Sequence, residues 1–247
     1  FIMGSLSKVQ IKADASGVVD WTHFENEIKS YLNRSEYGSH YYNNIMTPKY
    51  DGCSFEYYYN NGDVTISTRG DGYYGKDIKK HIEKKCVLFS DAVKEKEFTL
   101  RGEVLVRKDT FNEKYSSFTN PRSFVSGILN RKYEDIDDLS VLDDLSIVVY
   151  DYRVKTDGLW VDKDWTELRG SCIDGLLPQN SIINEGNSFE FFDIVYRGFA
   201  KYREDCEFAL DGIVIKPVAE CRKLNLDKER PVDCVAVKFL PTIKETV

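Results

Sequence analysis

The chain has 247 residues, enough for one large domain or two small ones with a sizeable core. Hydrophobic residues make up 42% and charged residues 30%, as in ordinary globular proteins, and no apolar run is long enough to span a membrane as a helix. The formal net charge of −7 argues against a general nucleic-acid coating protein, although it leaves room for a local basic groove in a cleft.

The opening "FIMGSLSKVQIKAD" lacks the apolar core of a signal peptide, and its first residue, Phe1, suggests a fragment or a processed product. Next, "DWTHFENEIKSYLNR" sets Trp21, Phe24, Ile28 and Tyr31 at helical spacing behind Asp20, a suitable N-cap. Two strand-like runs flank "NNGD" at 60–63, which reads as a hairpin. A glycine-rich connection, "TRGDGYYGKD", leads to a short basic helix in "KDIKKHIEKK". "FTLRGEVLVR" alternates like a strand, and "KDTFNEKYSSF" and "PRSFVSGILNR" read as helical turns, the second opening at Pro121. The acidic run "YEDIDDLSVLDD" lacks calcium-loop spacing and reads as a solvated loop or helix face. "LSIVVYDY" is a buried strand, "SFEFFDIVYRGFAKYRED" an amphipathic helix, and "DGIVIKP" and "DCVAVKFLP" are apolar strands that each end in a lysine. Strands and helices mix without βαβ alternation, which favours an α+β fold with antiparallel sheets.

The six cysteines form no CxxC pair and the three histidines lie far apart, so zinc is not expected and the thiols are read as free, in a reducing, intracellular setting. Cys53 and Cys234 read as small buried hydrophobes.

In "TPKYDG" a lysine, Lys49, stands two residues ahead of an Asp-Gly pair, Asp51 and Gly52. By itself this is a surface charge beside a turn. Its neighbours along the chain change that reading. "RGEV" puts Glu103 in mid-strand, where a charge is costly unless paired or used. Lys216 and Lys238 end apolar strands and also need partners. Several cations converging on one lysine favour its neutral, nucleophilic form and would bind a phosphate. That is the chemistry of an amine attacking phosphorus.

These segments, together with "TRGDGYYGKD", "NPRSFVSGIL", "VVYDY", "LDGIVIK" and "CVAVKF", in this order from Met3 to Pro241, resemble the adenylation (nucleotidyltransferase) domain of NAD-dependent DNA ligases. The resemblance implies an α+β, ATP-grasp-like ligase fold with antiparallel sheets, flanking helices and a nucleotide cleft. It implies a lead-in over residues 1–44, a core over 45–241 and the start of a linker over 242–247. It also implies a reaction. Lys49 attacks the α-phosphate of NAD, forms lysyl-AMP and releases NMN; AMP passes to the 5′-phosphate of a nick, and the 3′-hydroxyl displaces it.

The implied roles follow residue by residue. Lys49 is the nucleophile; Asp51 and Gly52 complete its motif, the glycine letting backbone approach the nucleotide. Arg69 touches ribose or phosphate, and Glu103 binds the ribose hydroxyls or Mg²⁺. Arg122 serves the DNA phosphate or the carboxylates, and Tyr150 stacks on adenine. Asp211 works through a metal or orients Lys216; Lys216 and Lys238 lie near the adenylate. Ser5 and Leu6 line the adenosine pocket.

Three positions depart from the family pattern. Thr47 replaces a base-reading glutamate, Asn130 replaces a second arginine for which neighbouring Arg131 would substitute, and Cys234 replaces a tryptophan. They suggest a divergent member acting in the cytoplasm, at a nucleoid or at a viral or phage replication site. The expected partners are nicked double-stranded DNA, and NMN-binding, OB-fold, zinc-finger and helix-hairpin-helix modules supplied elsewhere. The alternatives are an ATP-dependent DNA or RNA ligase, or a non-catalytic nucleotide-binding subunit.

Overall fold

A computed structural model describes residues 6–10, 22, 26, 44–86, 95–163, 182–184, 189–217 and 234–240. The helix expected around Trp21 lies outside these residues except for Thr22 and Asn26, which are both helical. Two five-stranded sheets carry the fold. The first contains β1 (Ser7–Gln10), β2 (Asn44–Tyr50), β8 (Ile182–Asn184), β9 (Leu210–Pro217) and β10 (Val235–Lys238), in the order β1-β10-β9-β2-β8. The second contains β3 (Cys53–Asn60), β4 (Asp63–Thr68), β5 (Glu97–Val106), β6 (Leu145–Thr156) and β7 (Leu159–Lys163), in the order β4-β3-β5-β6-β7.

The pairings are antiparallel, as expected, with one exception: β1 runs parallel to β10. These two strands stand at opposite ends of the sequence, so no hairpin constrains their direction. The β3–β4 hairpin turns at Asn61 and Gly62, whose φ values of 49° and 102° give the left-handed pair that the Asn-Gly signal predicts.

The second sheet buries one face against α1 (Lys79–Cys86) and α3 (Pro121–Leu129). Phe55, Tyr57, Phe98, Leu100, Val104, Ile147 and Val149 from alternate strand positions meet Ile82, Phe124, Val125 and Ile128 there. Helix α3 starts at Pro121, with the Asn120 side chain accepting the Ser123 N–H at 2.8 Å. The acidic run is largely exposed, as expected of a solvated loop, and its two short 3₁₀ turns clamp α1 through Lys80–Glu134 and the Asp143 carbonyl, which accepts from Lys85. Ile136 between the turns is buried. Helix α2 (Lys108–Lys114) follows β5, and Lys114 and Tyr115 both reach the Asp144 carboxylate.

Helix α4 (Phe189–Asp205) covers one face of the first sheet, where Val195, Tyr196 and Phe199 pack on Met46, Ile213, Ile215, Val235 and Val237. A third cluster joins the sheets: Tyr50 and Leu210 from the first, Leu105 and Val148 from the second, with Cys206 and Phe208 between. Thus the uncovered face of the first sheet and the polar face of the second converge on a cleft. Cys234 is buried as expected, whereas Cys53 is only half-buried, because it opens β3 at the cleft edge instead of deep in a strand.

Candidate active site

Asp51 and Gly52 connect the last residue of β2 to the first of β3, so the "KYDG" stretch is where the chain leaves one sheet for the other. The crossing is tight. Asp51 N–H donates to the Ala209 carbonyl at 2.9 Å. A Cβ at residue 52 would stand 2.1 Å from the Val104 carbonyl and 2.7 Å from Leu105 Cδ2. Glycine is therefore demanded here by the protein's own packing. The glycine thus leaves room for the close contact of this crossing with β5.

On β2, Thr47 and Lys49 point away from α4, into the cleft. Lys49 pairs with Gly212 across the sheet, and Tyr50 pairs with Leu210, so Asp211 is the extra residue of a β-bulge. The bulge turns Asp211 out of the alternation and onto the lysine face. Its Oδ1 lies 2.9 Å from Lys49 Nζ and its Oδ2 lies 3.3 Å from Lys238 Nζ. Lys238 reaches this point because it too pairs with Gly212. One carboxylate thus gathers two ammonium groups. Its Oδ1 receives no hydrogen bond of good geometry, so the Lys49 contact is an ion pair without a fixed donor direction.

Sequence reasoning missed Lys8. β1 sets it opposite Ala236, on the cleft face and two residues along from the Lys238 row. Partial burial, followed by the charges of Lys238 and Lys49, pulls its ammonium below the usual lysine value. The only signal in the sequence was its place two residues after Leu6 in "SLSK". Leu6 is half-buried just ahead of β1, and Ser5 lies outside the described residues.

The opposite wall is the second sheet. Glu103, on β5, is buried and faces Ser54 across the β3–β5 pairing; Ser54 Oγ donates to Glu103 Oε2 at 2.9 Å. Burial pushes the carboxyl from 4.5 up to about 7, against the opposing pull of the Ser54 hydroxyl, Lys49, Arg122 and the Gly52 N–H. Arg101 turns to Glu56 at 3.1 Å, and Arg122, from the first turn of α3, reaches Asp51 Oδ1 at 3.1 Å. Ser54 is a second residue that sequence reasoning passed over, because a lone strand serine carries no pattern.

Tyr150 sits in a second bulge. Arg101 pairs with Asp151 and Gly102 with Val149, which leaves Tyr150 as the extra residue of β6. Its phenol lies beside Ser54 and Glu103; loss of solvent and the Glu103 charge push it above the ordinary tyrosine range. The Tyr150 carbonyl accepts Lys216 Nζ at 2.5 Å, and Asp151 Oδ1 lies 3.5 Å from the same ammonium. Asp151 in turn bonds Arg153, which bonds Asp162 at 2.7 Å. Lys216 is therefore held by the Tyr150 end of the cleft. It does not join the Lys49–Asp211–Lys238 group, and Asp211 does not orient it: four residues of extended β9 separate Asp211 from Lys216.

Two arginines stand farther out. Arg69 is half-buried, and its side chain makes no ion pair among the described residues; its N–H donates to the Ser54 carbonyl at 3.2 Å, which fixes it at the cleft mouth. Arg131 lies past the C-terminal end of α3, away from Arg122, where its carbonyl accepts Lys76 Nζ at 2.7 Å and meets His81 Nε2 at 3.2 Å. The two arginines are thus not a pair at one phosphate. Thr47 is buried on β2, one alternation beyond Lys49 and opposite Val214. A depression of about 390 Å³ lined by Glu56, Tyr58, Glu97, Lys155 and Trp160 occupies the distant part of the second sheet and contains none of the expected site residues.

The arrangement presents a lysine amine beside a carboxylate able to take its proton, with cations around it and an aromatic ring and an acid on the facing wall. Comparison with known proteins accords with it. Residues 17–242 match the family model described as the NAD-dependent DNA ligase adenylation domain. A putative DNA ligase of Invertebrate iridescent virus 6 is 35% identical over 211 residues, 78% of this chain and 31% of that protein. A DNA ligase of Borrelia garinii is 31% identical, over 86% of this chain and 33% of that protein. The chain thus spans about a third of the length of these relatives. A chain of the solved Pnkp1/Rnl/Hen1 complex aligns with a TM-score of 0.53 at 12% identity, over 96% of this chain and 75% of that one, which shows a shared fold. The chain belongs to the NAD-dependent DNA ligase adenylation domain family.

Proposed function

We propose that this chain carries out the nucleotidyl-transfer step of an NAD-dependent enzyme that joins DNA ends, with Lys49 as the residue that becomes AMP-lysine. The observation that carries this reading is the single carboxylate of Asp211 bound to both Lys49 and Lys238 at the junction of the two sheets.

In the first step, the neutral Lys49 amine attacks the α-phosphorus of NAD. The new N–P bond forms as the bond to the NMN phosphate oxygen breaks, NMN leaves with that electron pair, and the proton lost by the amine passes to Asp211. Lys238 and Lys8 flank the developing charge on the phosphate oxygens, which is electrostatic stabilisation by groups already in place. Tyr150 offers its ring to adenine, Lys216 holds the backbone that aims this ring, and Thr47 and Leu6 border the adenosine side. Glu103, fixed by Ser54, faces the ribose hydroxyls.

Mg²⁺ is part of the proposal. Among the described residues no three His, Cys, Asp or Glu side chains converge on one point. Mg²⁺ commonly takes only one or two carboxylates, completed by phosphate and water, so Glu103 or Asp211 would hold it. When bound it would neutralise charge on the phosphates.

In the later steps AMP moves to a 5′-phosphate at a nick and a 3′-hydroxyl displaces it. Arg122 and Arg69 would meet that DNA at the cleft mouth, and Arg131 would touch it from beyond the C-terminal end of α3. Modules that bind NMN and encircle DNA belong to this reading as separate parts, as do a core over residues 45–241 and an intracellular site of action.

Intact mass spectrometry after incubation with NAD and Mg²⁺, with any NMN-binding module supplied, tests the core claim. One added adenylate is expected, and Lys49→Ala should abolish it. An adduct that persists in that variant, or that forms from ATP and never from NAD, refutes the assignment.

A further inference from the structure

The glycine-rich turn between β4 and α1 holds two large aromatic rings out in solvent. Tyr74 is 83% exposed and Tyr73 59% exposed. Exposure of this kind is often a sign of a loose loop, but this turn is tightly built. The Asp71 carboxylate accepts the backbone N–H of Tyr73 at 2.9 Å and of Tyr74 at 2.8 Å. Gly70 and Gly72 have φ of 55° and 106°, and a Cβ at Gly70 would fall 1.8 Å from the Tyr74 carbonyl. The Gly72 N–H closes back on the Arg69 carbonyl at 3.0 Å. A rigid presentation of exposed phenols marks a contact surface, because an aromatic ring gives a large contact area for little ordering cost.

Charge decides the kind of partner. Asp71 is occupied by backbone donors, and Asp77 accepts the Lys79 N–H. Around them stand Arg69, with no ion pair among the described residues, then Lys76, bonded to a carbonyl instead of a carboxylate, then Lys79 and the exposed Arg131. The chain as a whole carries −7, so this local excess of cations is a departure from its average. The turn also adjoins the cleft, since the Arg69 N–H is bonded to Ser54, whose hydroxyl holds Glu103.

We propose that residues 69–76 form a nucleic-acid docking element. The Tyr74 ring, with Tyr73 beside it, lies against base and sugar faces next to the break, and Lys76 and Arg69 meet the backbone phosphates. This rests on the DNA-joining function proposed above and adds to it a contact made by ring faces, which every base offers.

The test is fluorescence anisotropy of the AMP-loaded chain binding a labelled nicked duplex, run across a series of salt concentrations. Tyr74→Ala should weaken binding about tenfold, and Tyr74→Phe should stay within about twofold, because the ring face is kept. The lines of log affinity against log salt should be parallel for Tyr74→Ala and the parent, since a ring releases no counterions, whereas Arg69→Ala should reduce the slope. Unchanged affinity in both Tyr74→Ala and the Tyr73→Ala, Tyr74→Ala pair overturns the proposal. So does a slope change in Tyr74→Ala equal to that of Arg69→Ala, which would report a collapsed turn. The AMP adduct, weighed on the same samples, separates the two claims: failure to form it in the parent chain counts against the proposed function, while a normal adduct with unaltered DNA affinity counts against the docking element alone.

Discussion

Burial of Glu103 should contribute a stability that falls with rising pH, a dependence that Glu103→Gln should remove. The carboxyl moves from 4.5 to about 7 on folding, chiefly because the charged form loses its solvent. At about 1.4 kcal/mol per pH unit, this displacement is worth roughly 3 kcal/mol. Between these two values the native state keeps a proton that the unfolded chain has lost, so unfolding releases it and stability declines as pH rises. The favourable condition holds below 4.5 and is lost as pH climbs through about 7. Glutamine has the same shape and no charge to desolvate. Urea unfolding of the parent and the variant, run at intervals from pH 4.5 to 8, measures the difference. The parent should lose about 3 kcal/mol relative to Glu103→Gln over this range and then run level with it. A difference that stays constant with pH would show that Glu103 is ionised and solvated in the folded state, and the electrostatics described for the cleft would be wrong.

Other predictions follow from individual contacts. Ser54→Ala removes the hydroxyl that stabilises the Glu103 carboxylate at 2.9 Å, so carboxyl titration followed by ¹³C NMR should move to still higher pH. Gly52→Ala forces a methyl to 2.1 Å from the Val104 carbonyl and should cost about 1–3 kcal/mol or more by thermal unfolding, with loss of adenylation. Lys8→Ala should leave stability unchanged but raise the KM for NAD by about tenfold in an adduct-formation assay, as expected for loss of one charge-assisted contact. Lys216→Ala removes the donor to the Tyr150 carbonyl and one of the cations beside Asp151, which keeps Arg153; a loss of about 1–3 kcal/mol in urea unfolding is expected, and an unaffected midpoint would contradict the bridging role of Lys216.

Much of this molecule could be read along the chain. The Asn61-Gly62 turn, the Pro121 helix start and the apolar strands ending near Lys216 and Lys238 are local signals, governed by backbone preference and two-residue alternation. The ordered motifs around Lys49 and Glu103 also pointed to the family before any fold was known. Lys8, Ser54 and the real partners of Lys216 were not legible, since each depends on which strand lies alongside, and β1 meets β10 across nearly the whole length of the sequence. The sharpest case is the pair of bulges. Alternation says that a residue faces one side or the other, but one extra residue reverses the answer for its neighbours. The sequence determined that Asp211 and Tyr150 would be present beside strong strands. Only the pairing of β9 with β2 and of β6 with β5 decided that both would be turned into the cleft, because a bulge is a property of two strands in register and neither strand contains it alone.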